Sequence, residues 1–231
     1  MLFVSSGLLI IILGAAMANI YRGVPLDATG SFFEPLWTNF RIGPPTGILD
    51  WYTILSGVTS ATFLLHHGAL WLVAKTDGRV QQHARQAATW LWTGSIGLTL
   101  VIFIASWYVQ PLARTSFSET PWKIILPLAA VLSLLASGYL RWKNKNMPAF
   151  LSSGLFIYLV IFSGAMAIYP NILPGLNPEH HLTIYNTSPG PEKLTTTLYW
   201  WIPGILLVGV YFTILFRSLP AVISASSEDD H

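Results

Sequence analysis

The sequence predicts an all-α membrane protein, a polytopic transmembrane helical bundle with about six spanning helices in a single domain over residues 1–231. Hydrophobic residues make up 53% of the chain and charged residues only 10%, against about 25% charged residues in soluble domains. The mean hydropathy is +0.55, which indicates lipid as the surroundings of most of the chain. Because little polar sequence separates the apolar stretches, we expect one membrane domain.

Six stretches are long enough to cross a bilayer, which takes about 20 mostly apolar residues. Each stretch is bounded by turn or charge signals such as "KTDG", "RWKNKN" and "YPNILPG". Several tryptophans stand near the ends of the stretches, where amphipathic rings favour the headgroup region. The predicted helices are residues 2–20, 51–74, 88–109, 122–140, 148–169 and 196–216.

The first stretch has an alternative interpretation as a signal peptide, because "AMA" at residues 16–18 resembles a cleavage site. However, no Lys or Arg precedes the apolar run, where a signal peptide carries one. Gly14 and Ala18 also form a small-xxx-small pair that suits close helix packing. These features favour a transmembrane helix.

Lys and Arg in the short connections predict the orientation of the bundle. One side carries seven of these residues in dense clusters, and the other side carries five spread over much longer loops. We therefore expect the dense clusters and both termini, including the C-terminus, in the cytoplasm. The seven are Lys75, Arg79, Arg85, Arg141, Lys143, Lys145 and Arg217, and the five are Arg22, Arg41, Arg114, Lys123 and Lys193.

Composition and motifs exclude several classes of function. The chain has no cysteine, which excludes disulfides, iron–sulfur clusters and cysteine nucleophiles. Its net charge of +2 gives no basis for nucleic-acid binding. No Ser/His/Asp constellation, phosphate loop or HExxH motif is present, so we expect no catalytic residue. The predicted helices hold no interior carboxylate, which argues against an ion-coupled transporter.

His66 and His67, inside the second predicted helix, are the candidate cofactor ligands. Neighbouring helical residues point about 100° apart, so the pair cannot bind one iron from opposite faces. No other histidine falls at the same depth of a predicted helix, and Met17 and Met166 lie toward the opposite helix ends. The favoured interpretation is that both imidazoles are neutral and hydrogen-bond to neighbouring helices. A single-ligand haem, a proton relay and a quinone contact are the alternatives.

The connection between the last two predicted helices raises the question of a metal site. "PEHHL" places Glu179, His180 and His181 side by side, and these residue types can bind zinc. The spacing supplies no defined fourth ligand, so a solvated loop is favoured and no metal site is predicted. The C-terminal "SSEDDH" is interpreted as a solvated terminus.

The connection of residues 21–50 is unusually long and contains four aromatic residues. Loops of this length in compact proteins are usually functional or disordered. Its aromatic content argues against disorder, so we expect it to fold onto the surface of the bundle or onto a partner subunit.

Several stretches together resemble subunit II of the cytochrome bd quinol oxidases. They are "GAAMANIYRGVPLD", "GILDWYTILSGVTSATFLLHHGALWLVAKTDG", "GLFIYLVIFSGAMAIYPNILP" and "LTIYNTSP", in this order along the chain. The resemblance implies a heterodimer in the bacterial cytoplasmic (inner) membrane. It implies that subunit I carries haem b and haem d, oxidises quinol and reduces oxygen to water in the aerobic respiratory chain. It implies a haem-free structural role for this chain, with subunit I, membrane lipids and, as an open alternative, a bound quinone as partners.

This sequence departs from the family in supplying fewer helices, which match the C-terminal part of the family pattern. We therefore expect a fragment, a wrongly assigned start or half of a split gene that lacks the N-terminal helices. No residue of the family's proton path can be carried over to this chain. Two other functional classes stay open at this point: a secondary transporter or permease, and a b-type cytochrome membrane anchor.

Overall fold

The structure is a computed structural model, and it describes residues 2–218. Its architecture is an all-α bundle, as predicted. Residues 2–218 form seven α-helices. They are α1 (Leu2–Arg22), α2 (Trp51–Lys75), α3 (Gly78–Val109), α4 (Pro111–Glu119), α5 (Ile125–Trp142), α6 (Asn146–Ile168) and α7 (Pro191–Ser218). The C-terminal tail "SSEDDH" and His231 lie outside the described residues.

Each of the six predicted spans corresponds to one long helix, with two notable differences. Helix α3 begins at Gly78 rather than at residue 88, because the polar residues that open it continue the helix beyond its apolar part. The sequence also did not predict α4, which is short and polar and begins at a proline. In both cases the helical residues lie outside the apolar stretches from which the helices were predicted.

Five of the long helices in the described part of the chain have the length and apolarity needed to cross a membrane. Helix α2 has the length, but its most apolar 18-residue stretch is less apolar than those of the other long helices, since it contains His66, His67 and several Ser and Thr residues. Its position explains this composition: α2 packs against α1, α3 and α6 and lies at the centre of the bundle. Its polar side chains therefore face other helices more than lipid.

Close approach of small residues holds α1 against α2. A Cβ atom at Gly57 would lie 2.7 Å from the Ile11 carbonyl oxygen, and one at Gly14 would lie 2.7 Å from Cβ of Ser60. Ala18 is buried against Tyr52 in the same interface. The packing predicted for Gly14 and Ala18 is thus observed, and it makes α1 part of the bundle.

Helix α7 differs from the others because none of its residues is buried. Within residues 2–218, the Phe216 ring of α7 contacts Trp71 of α2, with ring centroids 5.8 Å apart. The remainder of its apolar surface is uncovered within residues 2–218.

The two ends of the bundle differ in chemistry. The basic end carries the α2–α3 and α5–α6 connections. The hairpin end carries residues 23–50, α4 and a two-stranded antiparallel sheet of β1 (Asn171–Leu173) and β2 (Leu182–Thr183). The chain of residues 23–50 folds onto the hairpin end, where Val24 N–H donates to the Pro174 carbonyl at 3.0 Å.

Candidate functional site

His66 is buried and contacts α5. Its side chain is 1% exposed, and its Nε2 lies 3.3 Å from Oγ of Ser137. The Ser137 hydroxyl donates its single proton to the Leu134 carbonyl at 2.7 Å, so it accepts from His66. With its proton on Nε2, a neutral His66 donates to Ser137, while its Nδ1 makes no hydrogen bond within the described residues.

His67 contacts α6 instead. Its Nδ1 lies 2.7 Å from Oγ of Ser153, and that hydroxyl donates to the Phe150 carbonyl at 2.7 Å. His67 therefore donates from Nδ1, the nitrogen opposite to the one that His66 uses. Its ring stacks on Phe150 with centroids 4.3 Å apart, and a Cβ atom at Gly154 would lie 3.3 Å from the ring.

The two histidines thus connect α2 to two different helices. Each bonds to a serine hydroxyl, as the packing interpretation predicted. The structure brings no third histidine to them within residues 2–218: His83 is exposed near the start of α3, and His180 and His181 lie at the hairpin end. That neither His66 nor His67 binds a cofactor, and that the chain holds no catalytic residue, stays a prediction.

The adjacent Glu179, His180 and His181 do not converge. His180 Nδ1 donates to the Leu26 carbonyl at 2.9 Å, whereas His181 Nδ1 accepts from the Gly175 amide at 2.9 Å. Both rings tie loop segments together. No group of three potential metal-ligating side chains occurs in the described part of the chain.

A buried ionic cluster, which the sequence did not predict, occupies the hairpin end. The Arg22 guanidinium, 1% exposed, pairs with Glu34 at 3.0 Å and with Asp50, whose carboxylates are 2% and 1% exposed. Arg22 also donates to the Asn19 side-chain oxygen at 2.7 Å. One positive charge therefore lies between two carboxylates away from solvent, and it fixes the long connection to α1 and α2.

Asp50 has a second role as the N-cap of α2. It accepts from the amides of Tyr52 at 2.8 Å and Thr53 at 2.9 Å, and Thr53 bonds back in a capping box. The sequence signal was Asp50 directly before an apolar helix with Thr three positions later. Nothing in the sequence indicated that Glu34, in the middle of a loop, would share Arg22 with it.

An apolar cleft of about 880 Å³ opens between α1, α2, α3, α5 and α6. Its lining includes Phe63, Ile102 and Pro127, and its polar groups are few. One is the Tyr52 hydroxyl, which bonds to the Ser106 hydroxyl at 2.9 Å. Such a lining suits an acyl or isoprenoid chain. Binding of an apolar chain would exclude water or mobile lipid from the apolar surface, and few polar groups of the cleft need hydrogen-bond partners.

Comparison with known proteins identifies the family. The family model of cytochrome bd terminal oxidase subunit II matches residues 1–219. The chain is 26% identical to the probable cytochrome oxidase subunit 2 of Haemophilus influenzae over 87% of this chain and 59% of that protein. It is 24% identical to the cytochrome bd ubiquinol oxidase subunit 2 of Bacillus subtilis, over 79% of this chain and 51% of the relative.

A third relative, the cytochrome bd-I ubiquinol oxidase subunit 2 of Escherichia coli K12, is 22% identical over 89% of this chain and 60% of its own length. The chain thus spans between half and three fifths of the length of these curated relatives. The match over residues 1–219 confirms the predicted resemblance. The chain belongs to the cytochrome bd terminal oxidase subunit II family.

Proposed function

We propose that this chain is the haem-free structural subunit of a cytochrome bd-type quinol:oxygen oxidoreductase in the bacterial cytoplasmic membrane. Its partner is subunit I, which holds haem b and haem d, oxidises quinol and reduces oxygen to water in the aerobic respiratory chain. The observation that carries the proposal is the family match over residues 1–219. That match does not favour the transporter or permease, nor the b-type cytochrome anchor.

The surroundings of the two histidines support a role without haem. A b-type anchor needs axial ligands that face one another from two helices, whereas His66 and His67 bond to serines on α5 and α6. Their hydrogen bonds serve helix packing, which keeps a bundle rigid in lipid.

The unpacked surfaces support a role as a partner subunit. Within residues 2–218, most of the apolar surface of α7 and one wall of the apolar cleft remain uncovered. Subunit I and lipid cover α7 in this proposal, and a lipid chain or a quinone tail fills the cleft. Dense packing around subunit I keeps water out of its haem pockets. The reduction potentials of buried haems depend on this exclusion of water.

The test is a reduced-minus-oxidised visible spectrum of material captured, in mild detergent, through a tag on this chain in its native membrane. We expect the bands of haem b and haem d, and intact-mass analysis of the sample should identify subunit I. A haem-free sample from membranes that contain the oxidase would contradict the proposed assembly.

A second measurement asks whether this chain binds the haem. In the variant His66→Gln/His67→Asn, amide nitrogens replace Nε2 and Nδ1, so the bonds to Ser137 and Ser153 are kept while imidazole ligation is removed. We expect unchanged haem per captured chain, as in the control variant His83→Gln at an exposed position. Loss of one haem only in the double variant would show that the chain is a haem-binding anchor.

A further inference from the structure

Four cations surround the junction of α3, α5 and α6 at the basic end. Arg85 lies near the start of α3, Arg141 in the last turn of α5, and Lys143 and Lys145 in the connection to α6. We name these four residues the basic rim. They lie beside Trp142, whose side chain is 73% exposed and marks the level of the membrane surface.

Hydrogen bonds hold the two arginines of the basic rim side by side. Arg141 Nη1 donates to the Arg85 carbonyl at 3.4 Å and to the Thr89 hydroxyl. The Arg85 guanidinium donates to the side-chain oxygens of Asn144 at 2.8 Å and Asn146 at 3.3 Å. These acceptors are neutral, so the bonds orient the guanidiniums without neutralising them.

No carboxylate of residues 2–218 pairs with Arg85 or Arg141. Arg141 Nε is buried and makes no hydrogen bond within residues 2–218. Two adjacent guanidiniums with no carboxylate of the described residues beside them repel one another, and an anion between them would relieve that repulsion.

The start of α6 adds a second indication of an anion. Its N-cap residue is Lys145, which provides no side-chain acceptor for the first free amides of the helix. A cation at this position is opposed by the helix dipole, whereas an anion is favoured there by both the dipole and the free amides. The basic rim and the start of α6 therefore both favour the binding of an anion.

We propose that the basic rim binds the phosphate group of an anionic phospholipid. Lys143 and Lys145 are exposed at the level of Trp142, where a lipid headgroup lies, and Arg141 reaches the same level from the bundle. The Lys143 ammonium stands 4.9 Å from the ring centroid of Trp142, so the aromatic ring holds it at the surface. Basic pockets between transmembrane helices recognise phospholipid headgroups through this chemistry. The inference does not rest on the proposed function of the chain.

The test is native mass spectrometry of the full chain, captured with its companions, in the presence of equal amounts of phosphatidylglycerol and phosphatidylcholine with the same acyl chains. We expect preferential retention of phosphatidylglycerol. Each surface cation contributes about 1 kcal/mol, so Lys143→Gln/Lys145→Gln should weaken phosphatidylglycerol binding by about thirtyfold. Arg141→Gln should weaken it as well.

The matched control is Arg114→Gln/Lys193→Gln, which removes two exposed cations distant from the basic rim. It should retain phosphatidylglycerol like the unaltered chain. Equal retention of both lipids, or equal losses in the control and the Lys143/Lys145 variant, would overturn the proposal. Because both lysines are exposed, an unchanged charge-state distribution will verify that the Lys143/Lys145 variant is folded.

Two further arms separate other occupants of the basic rim. Inorganic phosphate at the same concentration should neither bind nor displace the lipid, and competition by it would assign the rim to free phosphate. Neutralising the acidic tail with Glu228→Gln/Asp229→Asn/Asp230→Asn should leave lipid retention unchanged. Retention gained only in that variant would assign the rim to the tail of the chain and overturn the proposal.

Discussion

Arg22 illustrates how one residue can decide the stability of a whole connection. The desolvation of Glu34 is offset by its attraction to the guanidinium, and that of Asp50 by the guanidinium together with the Tyr52 and Thr53 amides. The cluster has two negative charges and one positive charge, so its members do not contribute equally. Removal of the shared cation leaves the buried Glu34 carboxylate without compensation and leaves Asp50 with only its two capping amides.

We predict that Arg22→Gln lowers the free energy of unfolding in detergent by about 3–5 kcal/mol, since it leaves uncompensated buried charge. Glu34→Gln should cost less, about 1 kcal/mol, because Arg22 keeps its pair with Asp50. Denaturant titration followed by tryptophan fluorescence measures both effects. Arg114→Gln, at an exposed position, is the control and should change the value by less than about 0.5 kcal/mol. Equal costs for the Arg22 and Glu34 variants would contradict the shared-cation account.

Asp27, in the exposed part of the long connection, gives a prediction about pH. The Thr29 hydroxyl, followed by the Ser31 and Thr29 amides, lowers the pKa of the Asp27 carboxyl below its ordinary value. A carboxyl whose pKa is lower in the folded form than in the unfolded chain stabilises the folded form at pH values above the unfolded pKa. This stabilisation is lost as the pH falls through the folded pKa.

We therefore expect the protection of the Ser31 amide from hydrogen exchange, corrected for intrinsic rates, to be constant above about pH 4 and to fall below it. In Asp27→Asn the protection should be smaller and independent of pH over the same range. A pH-dependent loss of protection that persists in this variant would assign the effect to another group.

At the scale of the elements, the close contact between α1 and α2 depends on glycine. A methyl group at Gly57 would meet the Ile11 backbone at a distance that real Cβ atoms do not adopt, and the backbone of a packed helix cannot yield as a side chain does. Gly97 offers the contrast, since it lies on α3 with nothing within 4 Å of the position of its Cβ.

We predict that Gly57→Ala lowers the free energy of unfolding by about 1–3 kcal/mol through overpacking. Gly97→Ala should have no destabilising effect and can raise stability by up to about 1 kcal/mol through helix propensity. Reversible unfolding in mixed micelles compares the two variants. An equal loss for both would mean that α1 and α2 do not approach one another as closely as the structure describes.

The sequence predicted the long helices well, because about 20 apolar residues in a row have few alternatives in a membrane. It did not predict the first turns of α3 or any of α4, because a helical segment outside the bilayer does not need a run of apolar residues. The histidine partners Ser137 and Ser153 also could not be predicted. Hydrogen bonds between helices depend on their rotation and relative depth, which tertiary packing decides.

At the scale of the whole molecule, the two ends of the bundle can be assigned to the two sides of the membrane by experiment. The charge distribution predicts a cytoplasmic basic end, where the described end of α7 also lies beside Trp71. The chain contains no cysteine, so single cysteines can be introduced without altering the background.

We predict that Ser188→Cys, at the hairpin end, reacts with a membrane-impermeant maleimide in intact spheroplasts. Gln82→Cys, at the exposed start of α3, should react only after the membrane is permeabilised. Both residues are exposed, so they differ in side and not in accessibility. Labelling of Gln82→Cys alone in intact spheroplasts would reverse the predicted orientation.

The polar composition of α2 has a consequence for biogenesis. A segment enters the bilayer from the translocation machinery according to its own apolarity, and the most apolar 18-residue stretch of α2 is weaker than that of the other long helices. Helix α1 precedes α2 in the chain and packs against it at Gly57. The serines that accept from His66 and His67 lie on α5 and α6, which are synthesised later. We therefore expect α2 to enter the membrane as a hairpin with α1. The imidazoles of His66 and His67 then lack their serine partners until α5 and α6 have been inserted.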